Sequence, residues 1–410
     1  MDASDTTLGP GGASHQGEYR APTAVRRWTT VASVMLACFV GQSFARFSFG
    51  LLLPAMKADL RISYGVAGWL GTINLAGYLI GTLSTSVASL RIPANRLLQL
   101  GALTATIGIV ILATSTSTPA LLVGMLFGGL GGAAAWVPAP SVTASVFPPD
   151  RRGIAMGITS AGIGTGIIIS VLLTNLVRSW VADQGEWRKI WWLEAFVGII
   201  AVISTLTFLR PLNSGGAAPR LSALRSIPRW WAPTLAYVCF GFAYVLFATY
   251  VVAGLQAQSG FSSVEASFVF AAFGLGNMTG ALGIGRLSDR IGRRHTMAAS
   301  YILCGLMSAL VIHGPKPLAY LFSCLFGIGM SGAVVSLAAH IGDHVSPHAF
   351  SAAFGAATAA FGVSQMIGPR VGGALIDRGW SFGPLFALGG VVWLIGAVLA
   401  LCMPSSSHVE

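Results

Sequence analysis

The sequence predicts an all-α membrane protein: twelve transmembrane helices in two pseudo-symmetric six-helix bundles. Three observations carry this. Of 410 residues, 54% are hydrophobic and 9% charged, with mean hydropathy +0.74, whereas a soluble domain carries about 25% charged residues. Apolar segments of the roughly 20 residues needed to cross a bilayer recur at about 28–53, 64–88, 95–113, 119–146, 152–178, 188–209, 231–258, 263–286, 294–313, 317–343, 348–372 and 382–403. The longest polar interruption among them, "RPLNSGGAAPRLSALRSIPRWW", separates the sixth segment from the seventh. A β-barrel would instead show alternating segments of about ten residues.

Residues 1–27 are polar, rich in Gly, Ser, Thr and Asp, and lack the apolar core and cleavage site of a signal peptide. They read as a disordered cytoplasmic tail. The first bundle is expected over 28–209, a cytoplasmic linker over 210–230, the second bundle over 231–403 and a cytoplasmic tail over 404–410. With the N-terminus inside, fifteen of the 24 basic residues fall in cytoplasmic segments and seven outside, leaving Arg46 and Arg370 within helices. This positive-inside bias predicts cytoplasmic N- and C-termini. It also explains the net charge of +11 and pI near 10.0 without a nucleic-acid partner.

Sliding one half on the other by about 200 residues places "GYLIG" (77–81) on "GNMTG" (276–280) and "FPPDRRGIAMG" (147–157) on "VSPHAFSAAFG" (345–355). With the equal helix count, these matches favour duplication. Two six-helix halves suit a carrier that rocks about a midplane site. The five cysteines, Cys38, Cys239, Cys304, Cys324 and Cys402, show no CxxC or Cys/His spacing, so neither disulfides nor a metal are expected. No His/Asp/Glu cluster, Ser/His arrangement or phosphate loop points to an enzyme or a cofactor.

At the end of helix 8 stands "GRLSDRIGRR" (285–294). Gly285 permits close helix approach, Asp289 can accept from an arginine or a helix N-terminus, and Arg290, Arg293 and Arg294 hold the segment at the anionic leaflet. Simple topogenic charge would explain the arginines but not Asp289, Gly285 or Gly292. The stretch resembles the loop signature of the major facilitator superfamily, and the resemblance implies a conformational latch in a cytoplasmic loop of a twelve-helix transporter. Arg151 or Arg152, at the start of helix 5, is the expected partner of Asp289. The first-half counterpart, "GTLSTSVASLRIPANR", keeps Gly81, Leu83 and Ser84 but has Thr85 where the aspartate would stand. Helix 4 lacks the arginine, and helix 5 the Gly-Pro motif, of the family's proton-driven drug exporters; a G-P-x-x-G-G at 368–373 lies in the other half.

Helices 1 and 2, "ARFSFGLLLPAMKADLRISYGVAGWLGTINLAGYLIG", are similar to the start of the bacterial YbfB/YjiJ-type group through Arg46, Phe47, Pro54, Met56, Asp59, Leu60, Gly68, Trp69, Asn74, Gly77 and Tyr78. That resemblance implies a multi-pass transporter of a bacterial inner membrane and fixes no substrate.

Arg46 stands about 18 residues into helix 1, roughly 27 Å from its cytoplasmic edge. An arginine in a bilayer costs from about 3 to over 10 kcal/mol unless it meets water or a partner. Either it snorkels to the outer interface or it faces a cavity. On the second reading Gln42 and Gly50 share its helical face, and Asn74, Tyr78, Trp136, Tyr237, Tyr244, Asn277 and Gln365 are candidate lining residues, although each taken singly also fits interhelical packing. No acidic residue is expected near the centre of a helix; Glu194 and Glu265 are placed near outer ends and Asp343 near an inner end. Arg370 is either a second anion contact or an interfacial anchor.

The expected function is therefore secondary active transport of a small organic anion of the carboxylate type, bound by Arg46, proton-linked and working by rocking-bundle alternating access. Proton-driven efflux of amphipathic drugs or metabolites is the alternative. His340 is the candidate proton-coupling residue, an interfacial solvated histidine being the other reading. The expected partners are a small-molecule substrate, protons and the lipid bilayer, with the carrier acting as a monomer.

Overall fold

The computed structural model describes residues 23–147, 152–180, 185–212 and 219–404. Among them run twelve long helices: α1 (Ala24–Leu60), α2 (Tyr64–Ala88), α3 (Ala94–Thr114), α4 (Thr118–Ala144), α5 (Arg152–Trp180), α6 (Glu186–Phe208), α7 (Trp231–Gln258), α8 (Ser263–Ile291), α9 (Arg293–His313), α10 (Lys316–His344), α11 (Pro347–Asp377) and α12 (Phe382–Leu401). Eleven are long and apolar enough to cross a membrane; α11, diluted by Gly, Ser and Gln, spans 31 residues and packs between α2 and α7.

The two halves repeat one packing scheme. In the first, α4 packs on α2 and α3, and α3 on α6; in the second, α10 packs on α8 and α9, and α9 on α12. The aligned G-x-x-x-G segments do the same work in both. Gly77 and Gly81 admit the backbone of α4 at Leu126 and Leu130, while Gly276 and Gly280 admit that of α10 at Cys324 and Ile328. A side chain at any of the four would meet backbone, so only the smallest residue allows this approach. The second aligned pair, 147–157 on 345–355, lies partly outside the described residues.

Across the halves, α2 meets α11, α5 meets α8 and the second part of α1 meets α7. Among the described residues, the hydrogen bonds that cross them run from the middle of the bundle to the end farthest from the linker, here called the distal end. Asp377 accepts from Tyr64 N (3.0 Å) and Gly65 N (2.8 Å), setting a carboxylate on the N-terminus of α2. Thr72 Oγ1 donates to Met366 O (2.7 Å), Asn175 to Ser267 (2.9 Å) and Arg178 to Ser263 O (3.1 Å). The halves are thus fastened distally. The linker is packed rather than loose where it is described: Leu224 and Ile227 are buried, and Arg220 N donates to Ala352 O.

Several helices run past their expected ends, helix 11 to Asp377 among them, and two of these extensions bear on the site. Helix 1 continues seven residues past 53, to Leu60, with Pro54 inside its last regular part, Ser48–Leu60, which follows a π-helical stretch, Phe39–Phe47. The segment 285–291 is not a loop but the last turns of α8, and the chain breaks only at Gly292, whose φ of 87° and ψ of 149° suit glycine alone. There Arg293 gathers the ends of three helices, pairing with Asp289 of α8 and with Asp343 of α10 (3.0 Å) and donating to Ser288 (3.2 Å). Gly285 is not at a tight crossing; a Cβ there would meet only Val335 at 3.9 Å. Arg290 is exposed and Arg294 donates to His295. The expected partners of Asp289 fall outside this description: Arg151 lies outside the described residues and Arg152 is described in its backbone alone.

Gly129, on α4, would drive a side chain into the backbone of Asn74 and Tyr78. Gly129→Val is expected to cost about 3 kcal/mol or more by overpacking, seen as a lower unfolding temperature and loss of the monodisperse peak in fluorescence-detected size exclusion.

Candidate substrate site

The site is built on the π-helical stretch of α1, where Ser48 N–H reaches back five residues to Ser43 O. Such a turn widens the helix and leaves carbonyls off the regular ladder. Polar side chains fix this stretch to its neighbours. Asn74 donates to both Ala45 O and Met125 O (2.9 Å each), Gln42 donates to Gly132 O (2.9 Å) and Ser43 donates to Ile163 O (2.8 Å). Gly41 and Gly132 let α1 and α4 touch backbone to backbone.

On this frame Arg46 points into the middle of the bundle. Its Nη1 donates to Gln42 Oε1 (2.8 Å), and its Nη2 donates to Tyr244 Oη (2.7 Å) and Gln365 Oε1 (3.3 Å). Tyr244 donates in turn to Gln365 Oε1 (2.8 Å). The Tyr78 ring lies 4.2 Å from the guanidinium carbon, within cation–π range. Arg46 forms no ion pair with an acidic residue among the described residues. Gln365 is fully buried, yet its Nε2 donates to nothing. A cavity of about 30 Å³ borders Arg46, Asn74, Tyr244 and Thr249. That is room for one or two waters, not for a carboxylate of several heavy atoms.

Gln42, Tyr78, Tyr244 and Gln365 therefore converge on Arg46 from α1, α2, α7 and α11. Asn74 borders the cavity, but its amide is spent on backbone. Tyr237 lies one ring away: it stacks on Phe361 (4.4 Å between centroids), which stacks on Tyr244 (5.9 Å). Phe361 extends this aromatic wall and has no signal in the sequence beyond its helix. Trp136 packs elsewhere, against the cluster containing Val34, Leu98 and Leu209. Asn277 sits at the α8–α10 contact, its carbonyl accepting from Ser331 (2.8 Å). His340 is fully buried, with both ring nitrogens lacking a hydrogen-bond partner among the described residues and its ring 4.3 Å from that of His344, rather than standing in an open helix end. Arg370 lies over Trp69, a half-exposed ring at the distal end, as an anchor would.

Glu194, expected near the outer end of helix 6, is completely buried and held by Ser48 and Ser170. The reason is the length of α1, which runs past this level and covers that face of α6. Glu194 does not border the cavity beside Arg46.

Twelve helices in two like halves, with a polar cluster at their junction, define a secondary transporter of the major facilitator class rather than an enzyme. The chain belongs to the family described as "Uncharacterised MFS-type transporter YbfB", whose model matches residues 38–401. It is a multi-pass membrane protein that carries a small molecule. Among its relatives are a chloramphenicol resistance protein of Streptomyces lividans, 24% identical over 90% of this chain and 93% of that protein, and the cis,cis-muconate transport protein of Acinetobacter baylyi, 24% identical over 67% and 71%. A solved bacterial homologue of the human lysosomal transporter Spinster, in an inward-facing and unoccupied conformation, shares the fold with a TM-score of 0.70 at 16% identity, over 93% of this chain and 96% of that one.

Asn74→Leu is expected to destabilise the protein by about 2 kcal/mol, because it strands two buried carbonyls. The check is the thermal unfolding midpoint, with Thr106→Val, whose hydroxyl bonds only within its own helix, as a milder control.

Proposed function

We propose that this transporter carries a small organic anion of the carboxylate type, with Arg46 as the group that binds it. One observation supports this above the others: a guanidinium inside the bundle is held only by neutral groups. A carboxylate accepts from a guanidinium through two oxygens and brings the missing negative charge. It would displace Tyr244 and Gln365 as acceptors, and the unpartnered Gln365 Nε2 offers it a further donor. Tyr244 and Gln365 belong to the second half and Arg46 to the first, so cargo binding replaces a direct contact between halves by one through the cargo. A ligand that binds the two arrangements unequally shifts their balance. The muconate-carrying relative transports a dicarboxylate by its name, which agrees with this reading.

With both termini on the cytoplasmic side of a bacterial inner membrane, the distal fastening closes the outer face and the state described is inward-facing. Coupling to protons completes the proposal. His340, Nδ1 and Nε2 both lacking a hydrogen-bond partner among the described residues, is a candidate for that role alongside its neighbour His344.

Efflux of an amphipathic compound is the second reading. The wall of Tyr237, Phe361 and Tyr244 and the chloramphenicol-resistance relative favour it.

Thermal unfolding of purified wild type and Arg46→Gln against a panel of mono- and dicarboxylates, chloramphenicol and quaternary ammonium compounds separates the two. At least one carboxylate is expected to raise the wild-type midpoint, with an affinity reduced about 30-fold or more in Arg46→Gln, the scale of losing one partner of a buried charge pair, ~2 kcal/mol. Stabilisation by carboxylates that survives in Arg46→Gln, or stabilisation by the neutral and cationic compounds alone, would overturn the anion reading.

Tyr244→Phe removes a hydroxyl that both accepts from Arg46 and donates to Gln365. It is expected to change carboxylate affinity by about threefold to tenfold while leaving the unfolding midpoint without ligand within a few degrees, as measured by the same titration.

A further inference from the structure

The face of α1 turned away from the Arg46 cluster carries a second polar site. Glu194 of α6 is 0% exposed, and its Oε1 accepts from Ser48 Oγ (2.6 Å) and Ser170 Oγ (2.7 Å), which are themselves 2.7 Å apart. Its Oε2 has no partner. One turn towards the distal end on the same two helices stand two more buried, unpartnered polar atoms, Thr174 Oγ1 of α5 and Trp191 Nε1 of α6. Three orphaned polar atoms in one region of a lipid-embedded bundle mark a place where something polar belongs.

The charges on the surrounding elements are engaged elsewhere. Arg46 of α1 is bonded to Gln42, Tyr244 and Gln365; Arg178 of α5 pairs with Glu186; Arg188 of α6 pairs with Asp59 at the far end of α1. Lys57 of α1 lies over Tyr64, Lys189 stands at the distal end of α6, and α3 has no ionisable residue beyond Arg96. Cys38 of α1 belongs to a different cluster, with Val34 and Leu98. Among the described residues, no charged group adjoins Glu194. A carboxylate in this place would be a buried, unpaired charge with one oxygen lacking any donor, a costly state. A carboxyl that holds a proton is neutral and pays no such cost.

We propose that Glu194, with Ser48 and Ser170, is a proton-binding site of this transporter: the carboxylate takes one proton from water to become the neutral acid and keeps it in the state described here. The site is joined to the cargo site through α1. Ser48 closes the π-helical turn through its N–H to Ser43 O, and its hydroxyl lies 3.5 Å from the same carbonyl. Ionising Glu194 would tighten the two serine hydrogen bonds it already accepts and draw water to its unpartnered Oε2, between α1, α5 and α6. The turn that would be disturbed is the one that aims Arg46. Proton occupancy on one face of α1 and the setting of Arg46 on the other are thereby linked. The inference rests on the surroundings of Glu194 and on no substrate, so it stands or falls apart from the anion reading.

Infrared spectra of the purified protein in lipid nanodiscs at pH 7, in H₂O and D₂O, test it directly. Wild type is expected to show the carbonyl stretch of a buried carboxylic acid, shifted in D₂O, which is missing from Glu194→Gln and kept in Arg46→Gln. Glu194→Asp is expected to displace the band without removing it, which guards against a Gln variant that does not fold. The proposal is overturned if the wild-type and Glu194→Gln spectra coincide in the carboxylic-acid region and differ only in the carboxylate bands. It is also overturned if exchanging choline chloride for sodium chloride abolishes the band and raises the unfolding midpoint of wild type but not of Glu194→Gln, since the oxygens would then hold sodium.

Discussion

A guanidinium cannot be deprotonated away, so a bundle that encloses Arg46 without an acidic partner must surround it with dipoles. This chain draws them from four helices: the Gln42 amide on its own helix, the Tyr78 ring face on α2, and the Tyr244 hydroxyl and Gln365 carbonyl on α7 and α11. Hydrogen bonds to a charged group contribute about 1.5–3 kcal/mol each, and a desolvated cation–π contact about 2 kcal/mol, so the cluster offsets a substantial part of the cost of the charge. Because Arg46 Nη2 donates to two acceptors of the second half, the same bonds that stabilise Arg46 also hold the halves together at mid-bundle. What solvates the charge thus sets how firmly the carrier is closed.

Much of the remaining structure serves to bring those groups to Arg46. The π-helical turn re-aims α1, and its Ala45 carbonyl is taken up by Asn74, while Gln42 and Ser43 tie the turn to α4 and α5. Glycine contacts let α2 sit against α4, and α1 against both α4 and α7. Distally, Asp377 on the N-terminus of α2 fastens α11 across the junction, which fixes Gln365 three turns below it. Glu194 sits behind the same turn, so Arg46 and Glu194 both adjoin one short segment of α1.

The helix count, the halves and the G-x-x-x-G pairs were legible because bilayer burial imposes length and apolar composition locally, and because close crossing demands glycine whatever the partner. Arg46 was legible as an anomaly for the same reason: one charge in a long apolar run needs an explanation. Its companions were only partly so. Trp136 and Asn277 have the same polar or aromatic character as Tyr78 and Gln365, yet they face other helices. Which neighbour a residue faces depends on the rotation of its helix about its own axis, which packing against other helices sets. The burial of Glu194 was not legible because depth was counted along α6 alone, whereas burial depended on how far α1 extends beside it. The segment 285–291 was taken for a loop because its charges mimic one; the helix continues since nothing before Gly292 breaks it.

Chain composition by itself determined that this protein lives in a membrane, folds as two like sets of six helices and carries an unmatched positive charge in the first of them. Those properties follow from the transfer of residues between water and lipid, which acts on each segment without reference to the others. Which groups meet that charge, that a carboxyl lies buried behind it, and that the halves are fastened at the end away from the linker were decided only by the tertiary structure. Each of these depends on the relative rotation and extent of helices distant in sequence, quantities that no single segment encodes.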